Sequence, residues 1–299
     1  MRKLFLFFFS FLLSFSLLAQ NNPVRVLVIG AHPDDCDEGA GGLAALYAEA
    51  GCAVKFVSMT NGDKGHQSIS GGVLASRRME EAREAGRRLG IVYEVLDNHD
   101  GELMPTLENR FTVIRLIREW KADIVITHRT NDYHPDHRYT GILVQDAAYM
   151  VTVPNILSGT PALHDNPVFL YMSDHFQRPN PFRPDIVVDI TPVLEKKFRA
   201  LDAHVSQVYE WLPWIGHYEK DVPADPAQRF NWLMKHYAPY YAVSETQKPV
   251  LEKWYGRDRL PSVKYTEAFE ICEYGAQPDE QQIRRLFPMF SPAGKVINR

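Results

Sequence analysis

The sequence predicts an α/β fold: a Rossmann-like, mainly parallel sheet with helices on both faces and an aromatic-rich C-terminal extension. Two observations predict it. Short β-branched runs alternate with helical stretches of about a dozen residues, the pattern of βαβ units. The runs are also apolar throughout, as strands covered on both faces must be. With 299 residues, 45% of them hydrophobic and 23% charged, the chain has an ordinary globular composition.

The elements follow in order. Val24–Ile29 is a β-branched run ending at Gly30 and reads as the first strand. The Ala-rich stretch Glu38–Glu49, with Leu43, Leu46 and Tyr47, reads as a helix. Ala53–Met59 is the second strand and leads into a polar, Gly-rich loop over 60–72. Ser76–Leu89 is a charged helix stopped by Gly90, and Ile91–Leu96 is the third strand. Asn109–Trp120 is an amphipathic helix, Ile124–Ile126 a fourth strand, and a helix starts near Asp136 and runs to about Met150. Pro167–Met172 and Pro184–Ile190 read as further strands and Val193–Gln207 as a helix. From Trp211 the chain is rich in aromatics and proline, without repeats, and reads as cover for one end of the sheet. The domain expected is therefore 21–299, with a core over about 24–210 and an extension over about 211–299.

Arg2 and Lys3 precede the apolar run Leu4–Ala19, and Gln20–Pro23 is polar. This is the form of a secretory signal peptide over 1–20, so an exported protein, periplasmic or secreted, is expected. A retained anchor is the alternative, although the run is shorter than the ~20 residues a span needs and holds three serines. The formal net charge of −4 gives no reason to expect nucleic acid or an anionic membrane as partner. Cys36, Cys52 and Cys272 are not in zinc-finger spacing and read as small buried hydrophobes.

In parallel sheets, functional loops lie beyond the carboxyl ends of the strands. The first strand ends in Ala31-His32-Pro33-Asp34-Asp35, and the fourth leads into a loop ending Tyr133-His134-Pro135-Asp136-His137. Imidazole and carboxylate donors from two such loops suit Zn²⁺, and three ligands with an open position make a catalytic site. Neighbouring side chains in extended chain point in opposite directions. Of Asp34 and Asp35, one can therefore ligate while the other stands off to accept a proton. The blander readings are a helix cap for the aspartates and ordinary packing for the histidines. His66, His99, His128, His164, His175, His217 and His236 have no comparable context and read as structural.

These residues resemble the PIG-L (LmbE-like) family of N-acetylglucosaminyl deacetylases. The likeness is carried by Ala31-His32-Pro33-Asp34-Asp35, Asp37, Gly39-Ala40-Gly41-Gly42 and His134-Pro135-Asp136-His137. It extends through Arg78, Glu81, Leu89-Gly90 and Asp100-Gly101, with later echoes at Lys197, His204, Ser206-Gln207 and Glu267-Ala268-Phe269. The resemblance implies that His32, Asp35 and His137 hold zinc, or another divalent transition metal, and that Asp34 is the general base. It implies that His134 stabilises the oxyanion, that Asp136 orients His134, and that Arg78 and Asp100 contact substrate hydroxyls. The implied substrate is a small molecule or glycan bearing an N-acyl amine. The sequence departs from the family where a Glu often follows the Asp pair, since Cys36 and then Asp37 stand there.

Rival readings remain. Two histidines and a carboxylate also serve non-haem iron oxygenases, although Asp34 would then be idle. A non-catalytic sugar-binding module would retain the metal without the chemistry, and a hydrolase of a non-sugar or thiol-conjugate amide would keep the chemistry on another substrate. Arg78 has a plain alternative as a surface helix pair with Glu81. Trp211, Trp214 and Tyr218 read as core or rim packing, with sugar stacking as the alternative.

Overall fold

The computed structural model describes residues 23–290; the expected signal segment over 1–20 lies outside the described residues. Seven strands form one sheet: β1 (Arg25–Gly30), β2 (Ala53–Thr60), β3 (Val92–Asn98), β4 (Ile124–Thr127), β5 (Val168–Met172), β6 (Ile186–Asp189) and β7 (Thr266–Gly275). Their order is β3-β2-β1-β4-β5-β7-β6. The first five pair in parallel. β7 runs antiparallel to both β5 and β6.

β1 shows why both faces are covered. Its Val26 and Val28 pack into one core with Leu43 and Tyr47 of α1 (Asp35–Glu49) and Phe198 of α5 (Leu194–Leu201). Its Leu27 and Ile29 pack into a second core with Ile114 and Ile117 of α3 (Leu107–Trp120) and Leu143 and Ala147 of α4 (Pro135–Met150). Alternate side chains of one strand thus feed two layers, which explains the unbroken apolar run. The remaining α2 (Gly71–Leu89) stops at Gly90, whose φ of 80° is the left-handed C-cap glycine favours.

Two expectations are corrected in the C-terminal part. The extension does more than cover the sheet, because β7 is inserted between β5 and β6 and belongs to the core. The helix expected over Val193–Gln207 ends at Leu201, and a wider π-helical turn over Ser206–Trp211 follows. The cause is side-chain capture: Glu81 takes both the amide and hydroxyl of Ser206, and Gln207 donates to Gly65 O. Four further helices, α6 (Leu212–Ile215), α7 (Pro226–Tyr237), α8 (Lys248–Tyr255) and α9 (Glu280–Leu286), complete the described chain. Among the described residues, no helix is long and apolar enough to cross a membrane. All three cysteines are free thiols, Cys36 and Cys272 buried.

Candidate metal centre

β1 and β4 are neighbours, yet β1 continues to β2 on one side while β4 continues to β5 on the other. The crevice between their carboxyl ends is the switch point at which open α/β sheets bind ligands. His32, Asp34 and Asp35 follow β1; His134, Asp136 and His137 follow β4. Gly30 makes the turn between β1 and α1 possible, since a Cβ there would stand 2.8 Å from Asp35 Cβ and 3.0 Å from Cys36 Sγ.

The sequence-predicted ligands converge. His32 Nδ1 lies 3.2 Å from His137 Nε2 and 3.5 Å from Asp35 Oδ2, and His137 Nε2 lies 3.4 Å from Asp35 Oδ1. Donors in tetrahedral zinc sites, at ~2.0–2.2 Å from the ion, stand about 3.3 Å apart. The outer ring nitrogens are already taken. His32 Nε2 faces Asp136 Oδ2 and Asp100 Oδ1, both at 3.3 Å, and His137 Nδ1 faces Asp132 Oδ1 at 3.1 Å. Carboxylates behind the rings place the protons outside and turn both inner lone pairs toward the ion, as in other histidine metal sites. The donor set therefore fits zinc.

With no ion present, the same carboxylates favour charge on the rings. Burial opposes a charged His32 ring, but Asp100, Asp136 and Asp35 outweigh it and hold the imidazole well above its usual range. Burial likewise opposes charge on His137, which Asp35 and Asp132 raise. Asp35 is pulled well below the carboxylate range against its burial, by His137, His128 and His32. Its Oδ2 also accepts from the amides of Ala31 and His32 at 2.8 and 2.7 Å.

Asp34 occupies the N-cap position of α1 but makes no capping bond, so the cap reading fails. Its Oδ1 accepts instead from Arg78 Nη2 at 3.0 Å, a partner itself only 2% exposed. Arg78 and Asp100 are both nearly buried and are engaged with Asp34 and His32 in this structure, so any contact with substrate is additional to that work.

The role expected for Asp136 needs correction. Its carboxylate does not reach back to orient His134. It accepts from the Gly101 and Leu103 amides and faces His32. The bond to His134 comes from the Asp136 main-chain amide, which donates to Nδ1 at 3.2 Å, making His134 the N-cap of α4. A neutral His134 accepting at Nδ1 carries its proton on Nε2, where it donates and does not ligate. Burial, then His32 and His137, lower its pKa and keep it neutral.

Two members of the site were missed from sequence. His128, read as structural, places Nε2 3.1 Å from Asp35 Oδ2 and stacks on His137 with ring centroids 4.2 Å apart. Ligand atoms of Asp35, His128 and His137 lie within 4.8 Å of one another, as do those of His32, His134 and His137. Asp132 is the other, through His137. The signal was available for His128, which directly follows the last residue of β4. Asp35, His128 and His137 line a cavity of about 980 Å³ that Tyr133, Tyr237, Tyr240 and Tyr241 also line. Trp211 and Trp214 stack on each other and Tyr218 packs on His236; none of the three lines the cavity.

Residues 27–148 match the family profile described as PIG-L, GlcNAc-PI de-N-acetylase. The diacetylchitobiose deacetylase of Thermococcus kodakarensis is 34% identical over 211 residues, covering 65% of this chain and 76% of that relative. The chain belongs to the PIG-L family. The eight residues singled out for the site all fall within the matched stretch. Within the PIG-L fold, the chain also resembles the N,N′-diacetylchitobiose deacetylase of Pyrococcus horikoshii, with a TM-score of 0.61, 26% identity and 83% of each chain covered. The 4-oxalmesaconate hydratase of Pseudomonas putida is 28% identical over 200 residues, 64% of this chain and 77% of that one.

Proposed function

We propose that this PIG-L protein is an exported, zinc-dependent hydrolase that removes an acetyl or similar acyl group from the nitrogen of an amino sugar or glycoconjugate. The observation that carries the reading is the cluster of His32 Nδ1, His137 Nε2 and the Asp35 carboxylate, 3.2–3.5 Å apart, with Asp34 standing beside it as a separate carboxylate. The deacetylase relatives supply the substrate class. Zinc suits two imidazoles and one carboxylate in a hydrolytic site, and another divalent transition metal would use the same donors. The basic start and short apolar run support export.

Bound at these residues, zinc supplies Lewis acidity toward an amide carbonyl and lowers the pKa of water from ~15.7 toward ~7. Asp34, with Oδ1 fixed by Arg78, takes the proton of the attacking water on its free oxygen. His134 offers Nε2–H to the oxygen that develops negative charge, because its Nδ1 is occupied by the Asp136 amide. Asp34 then returns the proton to the departing nitrogen, and a carboxylate and a free amine leave.

The test is elemental analysis of the chain from Asn21 onward, with acetate and amine release measured on N-acetylglucosamine and its β-linked dimer. About one zinc per chain is expected. Asp34→Asn should keep the zinc and lose ~10²–10⁴ in kcat, and His137→Ala should lose the zinc. Zinc loss in both variants would refute the division of roles between the two aspartates. Bound zinc without release of acetate from any N-acyl sugar would remove the deacetylase reading and favour another amide or the water addition of the hydratase relative. Cell fractionation tests export, through a mature chain that starts near Asn21 outside the inner membrane.

A further inference from the structure

The first turn of α1 presents Asp34 and Asp35, and a buried ion pair holds that turn. In an α-helix each amide donates to the carbonyl four residues back, so Gly42 N would pair with Glu38 O and Leu43 N with Gly39 O. Here the Gly42 and Leu43 amides donate to Oε1 and Oε2 of Glu267 at 2.8 and 2.7 Å. On the same turn Asp37 O and Glu38 O accept from Lys197 Nζ at 2.7 and 2.6 Å. Tyr241 adds its hydroxyl to Glu38 O at 3.1 Å. Lys197 and Glu267 are joined to each other at 2.7 Å. The pair thus bonds both the carbonyls of the first turn of α1 and the amides of the next turn that face them.

The run Gly39-Ala40-Gly41-Gly42 makes this approach possible. A Cβ on Gly42 would stand 2.6 Å from Ile190 Cγ2 and 3.1 Å from Glu267 Oε1, and one on Gly41 would stand 3.3 Å from Lys197 Cγ. Lys197 is 0% and Glu267 3% exposed. A buried ion pair stabilises a fold poorly compared with apolar residues of the same volume. Its full set of main-chain partners therefore points to placement of the turn as its use.

We propose that Lys197 of α5 and Glu267 of β7 are positioning residues for the reaction: they lock the first turn of α1 and so fix Asp35 and Asp34 relative to His137. This rests on the reading that Asp35 holds the metal and Asp34 moves the proton. It also gives the C-terminal strand a functional place, since β7 reaches the site through Glu267.

Glu267→Gln keeps the shape and one acceptor while removing the charge. On the folded variant, the zinc Kd measured by chelator competition should rise 10–100-fold, the usual size for a group that orients a ligand. At saturating zinc, kcat should fall at least tenfold with KM within threefold. In the metal-free protein, amide hydrogen exchange over residues 35–43 should speed up at least tenfold, with 44–49 unchanged. Tyr241→Phe removes only the third donor to Glu38 O, should act in the same direction at smaller size, and decides the matter if Glu267→Gln does not fold. A lowered Tm with unchanged zinc Kd and kcat would reduce the pair to a structural brace and overturn the proposal. If the wild type takes up no zinc, the proposed function falls, and the exchange measurement still judges the lock. Acceleration confined to 35–43 supports it and its absence overturns it.

Discussion

Zinc affinity should weaken steeply in acid, by an amount that the geometry bounds. His32 and His137 are both raised above the ordinary imidazole value of ~6.5 in the metal-free site. Each must surrender an inner proton before it can ligate. The inner nitrogens lie 3.2 Å apart, so one hydrogen fits between them, and a second must turn toward Asp35 at 3.4–3.5 Å. Between one and two protons are therefore displaced per ion. One proton makes Kd rise tenfold per unit fall in pH, about 1.4 kcal/mol; two make it a hundredfold, about 2.7 kcal/mol. The sign follows from the shifts: affinity climbs with pH until the raised values are passed and is flat above them. The same shifts stabilise the metal-free fold below the ordinary imidazole value, and that share is lost as pH rises through the raised values. Calorimetric titration with zinc in buffers of differing ionisation enthalpy measures the protons released, and chelator competition from pH 6 to 8 gives the slope. No proton release together with a flat Kd across that range would refute the reasoning, because the carboxylates would then not be holding protons on the rings.

Three further outcomes follow from particular contacts. Asp136→Asn should weaken zinc 10–100-fold by releasing His32, with kcat at saturating zinc changed little; a loss of kcat with zinc affinity intact would restore Asp136 as the partner of His134. His128→Ala should weaken zinc about tenfold, since the ring no longer stands against Asp35 Oδ2 and over His137, and chelator competition against the wild type reads it. Arg118→Met should cost at least about 3 kcal/mol in urea unfolding while the zinc Kd of the folded variant stays the same. Arg118 is 2% exposed and donates to six main-chain carbonyls between Met150 and Thr160; the variant takes a donor from each, and Ile156 O and Thr160 O have no main-chain donor to fall back on.

The parallel half of the sheet was legible because its strands are short, β-branched and bounded by helices with clear periodicity. β7 was not, and its composition explains why. Glu267, Glu270 and Glu273 recur at a spacing of three, which breaks the apolar pattern of a buried strand, and the partner that neutralises Glu267 is Lys197, 70 residues away. The end of α5 was hidden for the same reason, since Glu81 and Gly65, which capture the next turn, lie far back in the chain. At the site, the two His-Pro-Asp segments were visible as local patterns. Asp136 was assigned to the histidine beside it in sequence, whereas the N-cap geometry of α4 sends its carboxylate across the crevice to His32. Adjacency in the chain suggested one partner and the helix start selected another.

The surplus of charge around the crevice gives the arrangement its direction. Asp34, Asp35, Asp100, Asp132 and Asp136 bring five carboxylates to one place, and Arg78 hydrogen-bonds to the carboxylate of Asp34 among them. Buried carboxylates at this density need positive charge close by. Without an ion, His32 and His137 supply it by holding protons, which is why their pKa values are raised. A dication held by these two rings and Asp35 would take the place of those protons and leave both rings neutral, as ligands must be. Proton and metal thus compete for the same lone pairs, with the outer carboxylates favouring either occupant over an empty, uncharged site. Under the division of roles proposed above, the Arg78 pairing separates Asp34 from the two rings' competition for charge, while Asp35, which faces both rings, would serve the ion.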